Sequence, residues 1–310
     1  MNKNKSILPA VSIALCTYNG ERFLIEQLDS ILSQDYKNID EIICVDDRST
    51  DNTWKILNEY AKRNPIFKIF KNDINLGFIK NYEKAITLAS NQLIAISDQD
   101  DIWYTSKISK LVTAIGDNLM AYSDNEYIDY KGKPLGLKFS DKRNLTNITN
   151  CLNFTLYNVI SGHTILINRR LLDSALPFPL DVPYDFWLSF QAAQFGEIKF
   201  VNEPLVAYRQ HENNIIGAFG VKAVKNKETF EVLSETLIRM QTFAKNVAPH
   251  LSKERLILEQ LGNTYSNKSI SMRLNRVSIY WRNRDAFLHF KKRSKIRKML
   301  YCIKVIWKYE

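Results

Sequence analysis

Short apolar runs alternate with amphipathic stretches along the first third of the chain. Val11-Ser12-Ile13-Ala14-Leu15-Cys16-Thr17-Tyr18 has the makeup of a buried strand and stops at the turn pair Asn19-Gly20. Phe23, Leu24, Gln27, Leu28, Ile31 and Leu32 then recur at helical spacing. Glu41 to Asp47 predicts a second strand, and Ser49, Thr50 and Asp51 offer N-caps for a helix carrying Trp54, Ile56, Leu57 and Tyr60. A third strand at Phe67 to Phe70, a turn at Asn75-Leu76-Gly77, a helix from Phe78 to Ala89 and a fourth apolar run at Gln92 to Ile96 complete the series. Connections this long cross over rather than fold back, so the pattern predicts an α/β fold with a mainly parallel sheet and helices on both faces. Further strands are expected at Ala121-Tyr122-Ser123, Thr164 to Asn168 and Glu197 to Val206, with a long polar loop from Lys131 to Asn150. Beyond Gly220 the pattern becomes helical and highly charged. A division near Gly217 to Gly220 is therefore expected, with an α/β domain over 1–217 and a helical, basic region over 218–310.

Ligands of such sheets bind beyond the carboxyl ends of the strands. That rule gathers Thr17 to Gly20, Asp46 to Arg48, Asn72 to Gly77 and Asp98 to Asp101 around one crevice. The last is the most informative. Asp98, Asp100 and Asp101 stand at the mouth of a buried strand, where like charges repel and hydration is lost, so a counter-charge is required. In an extended chain Asp98 and Asp100 share one side and Asp101 takes the other. Two converging carboxylates suit a hard divalent cation, and through it the oxygens of a phosphate. An isolated pair would read more simply as a solvated acidic turn capping the next helix. The turn after the first strand holds one glycine rather than G-x-G-x-x-G, and no Walker A sequence is present, so bound phosphates need a metal to neutralise them.

The chain has 310 residues, 45% of them hydrophobic, which is ample for a folded core. Its four cysteines are widely spaced without C-x-x-C; Cys16 and Cys44 read as core residues in a reducing compartment, and a zinc site is not expected. A short polar N-terminus and the lack of a long apolar run predict neither signal peptide nor membrane span, hence a cytoplasmic protein. The net charge of +10 is concentrated at the C-terminus, where residues 266–310 hold 13 Lys and Arg against Asp285 and Glu310.

Thr17-Tyr18-Asn19-Gly20, Val45-Asp46-Asp47-Arg48-Ser49-Thr50-Asp51, Asn75-Leu76-Gly77 and Asp98-Gln99-Asp100-Asp101 occur in the order and spacing of family 2 inverting glycosyltransferases of the GT-A fold, which residues 10–217 resemble. The longer Ser97 to Trp103 segment is similar to the bacterial polysaccharide and rhamnosyltransferase branch. The resemblance implies that Thr17, Tyr18 and Asn19 line a base and ribose pocket, with Asn75 and Gly77 at its edge. Asp47 and Asp46 would accept the imide N–H of uracil or thymine, and Asp98 would approach the ribose or diphosphate. Asp100 would hold Mg2+ or Mn2+, supported by Asp101. The family usually has a proline after the Asp-Asp-x-Trp sequence; Tyr104-Thr105 stands there instead.

Pro183-Tyr184-Asp185-Phe186-Trp187-Leu188 resembles the segment carrying the family's catalytic base, with Tyr184 in place of a common histidine. Asp185 is then the base, its pKa raised by a dry aromatic setting in which Tyr184 and Trp187 meet the acceptor. The plainer alternative makes Asp185 the N-cap of a helix from Phe186 to Phe195 and Trp187 a core residue. Tyr208-Arg209-Gln210-His211-Glu212-Asn213-Asn214 resembles the family's Tyr-Arg-x-His-x-x-Asn segment, implying His211 on the metal and Arg209 on the diphosphate. His211 could equally be structural. Ser161-Gly162-His163 resembles a stretch beside the acceptor site. No G-x-S-x-G elbow supports a Ser-His-Asp hydrolase.

From Ile296, the residues Met299, Leu300, Ile303, Ile306 and Trp307 share one helical face among lysines and arginines. Such a helix suits the membrane interface, at the inner face of the cell membrane, or else packing on the protein or in a homodimer. Nucleic-acid binding is not expected, because no base-stacking platform accompanies the charge. The expected activity is inverting sugar transfer, with rhamnose from dTDP-rhamnose the first choice, to a polyprenyl-linked saccharide in cell-surface polysaccharide synthesis. The alternatives are glucosyl, galactosyl or N-acetylglucosaminyl transfer from a UDP-sugar, or a metal-dependent nucleotidyl or phosphoryl transferase.

Overall fold

The computed structural model describes residues 8–212, 229–266 and 269–305. The expected division at Gly217 to Gly220, together with Asn213, Asn214, Ile306 and Trp307, lies outside them. The chain begins β1 (Val11–Thr17), α1 (Leu24–Leu32), β2 (Ile39–Asp46), α2 (Thr53–Arg63), β3 (Phe67–Lys71), α3 (Phe78–Leu88) and β4 (Leu93–Ser97). It continues through β5 (Ile102–Trp103), α4 (Lys107–Ile115), β6 (Met120–Ile128), β7 (Pro134–Lys138), β8 (Ile165–Asn168), α5 (Leu172–Ala175), α6 (Tyr184–Ala192) and β9 (Ile198–Arg209).

These strands form one mixed, mostly parallel sheet in the order β3-β2-β1-β4-β8-β6-β9-β5, with β7 paired to β6. β1 to β4 are mutually parallel, β8 runs antiparallel to β4 and β6, and β9 runs parallel to β6. Every residue of β1 is buried, as a central parallel strand requires. Its alternation feeds two cores: Ala14 and Cys16 face one with Ile43, Val45, Ile94 and Ile96, whereas Ile13 and Leu15 face the other with Ile42, Cys44 and Ala95.

The remaining helices are α7 (Thr229–Lys245), α8 (Ser252–Ser266), α9 (Ile270–Arg282), α10 (Arg284–Phe287) and α11 (Lys295–Lys304). They share the first core: Met240, Phe243, Leu261, Tyr280, Phe287 and Cys302 pack in one cluster with Ile94 and Tyr122. The rings of Phe190 and Phe243 stack with centroids 3.9 Å apart.

Two strands differ from the sequence expectation. β7 lies inside the stretch read as a loop, because Lys131-Gly132 turns the chain back and backbone pairing carries an exposed strand whose alternation is only Leu135 and Leu137. β5 is a two-residue bridge to β9, too short to leave a pattern.

Candidate active site

The carboxyl ends of β1, β2 and β4 meet at one crevice. Thr17 is buried, and its hydroxyl donates to Asp46 Oδ1 at 3.0 Å. Asp46 also accepts from Ser49 N at 3.0 Å and from the Ser49 hydroxyl. Asp47 Oδ1 accepts from Asn72 Nδ2 (2.8 Å) and Leu76 N (2.7 Å), and its Oδ2 from Gly77 N (2.9 Å). Asn75 Nδ2 donates to the Asp47 carbonyl at 3.1 Å. Asp46 and Asp47 are thus buried and fasten the loops around them; Asp47 Oδ2, with Gly77 N on it, keeps a lone pair for a further donor. Tyr18 is half exposed at the crevice, and Asn19, at φ 49°, turns the chain and accepts from Thr50 N at 2.9 Å.

Gln99, unassigned by the motif pattern, ties the acidic loop to this turn. Its Oε1 accepts from Tyr18 N at 2.9 Å and its Nε2 donates to Tyr18 O at 3.0 Å. A Cβ on residue 20 would stand 2.2 Å from Gln99 Oε1, so a larger residue there would push the Gln99 amide off Tyr18.

The expected pairing of Asp98 with Asp100 is not what forms. The chain leaves β4 at Ser97 and bends through Gln99-Asp100, so strand alternation no longer applies. Instead Asp98 and Asp101 flank His163, whose Nδ1 lies 3.2 Å from Asp98 Oδ2 and 3.4 Å from Asp101 Oδ2. Asp100 turns outward to His211, with Oδ2 2.9 Å from Nε2.

The counter-charge is chiefly His163, with Lys107 beneath it. Lys107 on α4 is wholly buried, donates to the His163 carbonyl at 2.7 Å and lies over the Trp103 ring. Burial drives its ammonium well below its usual pKa, against the pull of Asp101 and Asp98. Burial would raise Asp98, but hydrogen bonds and charge from His163, then the Tyr82 hydroxyl, hold it below the ordinary carboxylate range. Burial, reinforced by Asp100 and Asp98, raises Asp101. His163 is raised despite burial, because both carboxylates stabilise its cation.

Arg209 is fully buried, and its groups are engaged by the protein. Its N donates to Asp101 Oδ1 (3.0 Å), Nε to Asp100 O (2.9 Å), an NH1 to Tyr130 O (3.2 Å) and an NH2 to Glu26 Oε2 (2.6 Å). It therefore braces the acidic loop from behind, which corrects the expectation that it grips a diphosphate. His163, boxed between carboxylates and 2% exposed, likewise lies under the loop rather than against an acceptor.

On the other flank, Asp185 lies in the first turn of α6, which begins at Tyr184 with Pro183 in the cap position, so Asp185 does not cap the helix. It is half-buried, and Phe186 N donates to its Oδ1 at 2.7 Å. Desolvation, partly countered by that N–H and reinforced by the Asp98 charge, pushes its carboxyl up to about 7. Tyr184 stacks on Tyr82 with centroids 4.0 Å apart, and its hydroxyl lies where a Cβ of residue 162 would be, 1.9 Å away, so only glycine fits at Gly162. Trp187 does not face the crevice. It is 2% exposed, packs on Phe190 and Phe243, and donates its indole N–H to Ala175 O at 2.7 Å, so no ring face is left for a sugar.

Comparison with known proteins decides the family. The family model described as "Glycosyl transferase family 2" matches residues 12–175. The chain belongs to glycosyl transferase family 2. An uncharacterised glycosyltransferase of Haemophilus influenzae is 32% identical over 216 residues, covering 66% of this chain and 67% of that protein. The dTDP-rhamnosyl transferase RfbG of Shigella flexneri is 29% identical over 81% of this chain and 89% of its own. The UDP-Glc:alpha-D-GlcNAc-diphosphoundecaprenol beta-1,3-glucosyltransferase WfaP of Escherichia coli is 29% identical over 69% and 88%. Among solved structures, S. aureus TarS 1-349 in complex with UDP-GlcNAc aligns with TM-score 0.58 and 19% identity over 89% of this chain and 88% of that one. GalNAc-T7 with UDP, GalNAc and Mn2+ aligns with TM-score 0.54 and 19% identity over 67% and 44%. These likenesses confirm the fold, and family membership makes the chain a glycosyltransferase.

Two donor sets in the crevice have the chemistry for a divalent cation. Asp98, Asp101 and His163 offer atoms all within 4.8 Å of one another, and Asp101 Oδ2 is buried without a hydrogen bond. In that trio His163 and Asp101 are buried and the Asp98 side chain is 32% exposed. Asp100 and His211 form a second pair, with side chains 19% and 6% exposed.

Proposed function

We propose that the protein is an inverting glycosyltransferase that moves a sugar from a nucleotide-diphosphate donor to a hydroxyl of a lipid-linked saccharide, in the synthesis of a cell-surface polysaccharide. The carrying observation is that two neighbouring carboxyls are driven apart: Asp98 is held ionised while Asp185 is raised to about 7. A carboxyl near neutrality is suited to accept a proton during the reaction, whereas a permanently ionised one is suited to orient polar groups of the donor.

In this reading the nucleotide enters along Tyr18 and Asn19, and Asp47 Oδ2 offers its remaining lone pair to the base. Asp185 takes the proton of the acceptor hydroxyl. The acceptor oxygen forms its bond to the anomeric carbon on the face opposite the diphosphate, the carbon–oxygen bond to the diphosphate breaks, and the nucleoside diphosphate leaves. Asp100 and His211 would hold Mn2+ or Mg2+, which supplies positive charge for the departing diphosphate. Tyr184, stacked on Tyr82 beside Asp185, shapes the acceptor side.

The similarity to RfbG supports dTDP-rhamnose as first choice, and that to WfaP supports UDP-glucose and a diphosphoundecaprenol-linked acceptor as the second. A nucleotide-release screen over dTDP-rhamnose, UDP-glucose, UDP-galactose and UDP-N-acetylglucosamine, with and without Mn2+, tests the reading. One donor should be consumed, and Asp185→Asn should abolish its transfer. Full transfer by that variant removes Asp185 as base.

A further inference from the structure

We propose that the outward faces of α9 and α11 form a surface that lies on an anionic lipid bilayer. Each helix buries one side and leaves an aliphatic stripe on the other. On α11, Cys302 faces inward, with its Sγ 3.5 Å from Tyr280 O of α9, while Ile296, Leu300 and Ile303 recur at i, i+4 and i+7 on the opposite side. On α9, Ile279 and Tyr280 are buried and Ile270, Leu274 and Trp281, at i, i+4 and i+11, fall on one outward side. The five aliphatic residues are between 51% and 74% exposed, on two helices that touch. The sequence pattern anticipated the α11 stripe; the α9 stripe emerges only from the packing.

Charge selects the occupant. Residues 269–305 contain eleven Lys and Arg against one acid, Asp285. Lys295 and Arg297 stand on either side of Ile296, about 100° round the helix from it, and Lys304 borders Ile303 in the same way. Cations at the margins of an apolar stripe are the arrangement of an interfacial helix, whose apolar side enters the acyl boundary while its cations meet headgroup phosphates. A second copy of this chain would instead bring like charge against like charge. Among the described residues no helix is long and apolar enough to cross a membrane, so contact at the surface is what the geometry allows. The surface is defined without reference to donor or acceptor.

The test is co-sedimentation of the full chain with phosphatidylcholine vesicles, with or without phosphatidylglycerol, alongside sedimentation equilibrium of the free protein. The expected result is binding to the anionic vesicles only, weakening as salt is raised. Lys295→Gln with Arg297→Gln should weaken binding about thirtyfold. Leu300→Ser with Ile303→Ser should weaken it at least about tenfold while melting temperature stays unchanged. Equal binding to neutral vesicles, no binding, or full binding by either variant overturns the proposal. So does a dimer that Leu300→Ser with Ile303→Ser dissociates, since the face would then belong to a second copy. All these results are read without a nucleotide-sugar, so failure of the donor screen leaves them standing.

Discussion

Replacing Asp185 with Asn separates what the carboxylate does for the reaction from what it does to the fold. The unfolded chain ionises this group near 3.8, whereas the folded chain holds it at about 7. A raised acid favours the protonated folded state: its contribution is fully present below the unfolded value and lost as pH rises to the folded one. A shift of this size corresponds to about 4 kcal/mol, and since the side chain still reaches solvent about half, ~2 kcal/mol, is the working figure. Asparagine has the same shape, retains an oxygen for Phe186 N and cannot ionise. Asp185→Asn should therefore match the wild type near pH 4, gain stability across pH 4 to 7, and keep a constant advantage above that. Urea unfolding of both proteins from pH 4 to 8 measures the difference directly. Donor turnover at pH 8 should fall by about 10²–10⁴ in the same variant. Parallel stability curves for the two proteins would refute the claim that burial perturbs this carboxyl, whatever happens to turnover.

Gly162→Ala should lower stability by about 1–3 kcal/mol and impair transfer, because the new methyl meets the Tyr184 hydroxyl. Tyr184→Phe in the same chain should recover part of the loss, and strictly additive urea midpoints would contradict the contact. Arg209→Lys should cost about 1–3 kcal/mol, since one ammonium cannot serve Asp100 O, Tyr130 O and Glu26 together. A wild-type urea midpoint would refute that brace. Chelator treatment should abolish transfer, and Mn2+ or Mg2+ should restore it in the wild type but not in Asp100→Ala; transfer that survives the chelator removes the metal from the reading.

The parallel half of the sheet was legible because β1, β2 and β4 are buried on both faces, and such strands appear as unbroken apolar runs closed by turn residues. β6 runs on to Ile128 and β9 to Arg209, past where their patterns fade, because pairing with each other extends them. At the site, the sequence placed Asp98 to Asp101 correctly at a strand end, yet it assumed an extended chain there, and the bend at Gln99-Asp100 reassigns the partners. The need for counter-charge was legible, its source was not: His163 lies 65 positions beyond Asp98, and Lys107 beneath it starts an ordinary amphipathic helix where nothing local marks it as buried. Arg209 and His163 were assigned to ligands because their types suit ligands; only long-range packing, with Glu26 and Asp101, shows them turned inward.

Arg209 joins groups distant along the chain: its guanidinium reaches a carbonyl 109 positions earlier and a carboxylate 183 positions earlier. During synthesis the acidic loop consequently emerges long before the residue that steadies it. A nascent polypeptide stopped short of β9 should hold three crowded aspartates with their keystone missing, and so should fail to retain nucleotide. Donor affinity then becomes a late acquisition of the growing molecule, measurable by comparing ribosome-arrested chains that end before and after this arginine.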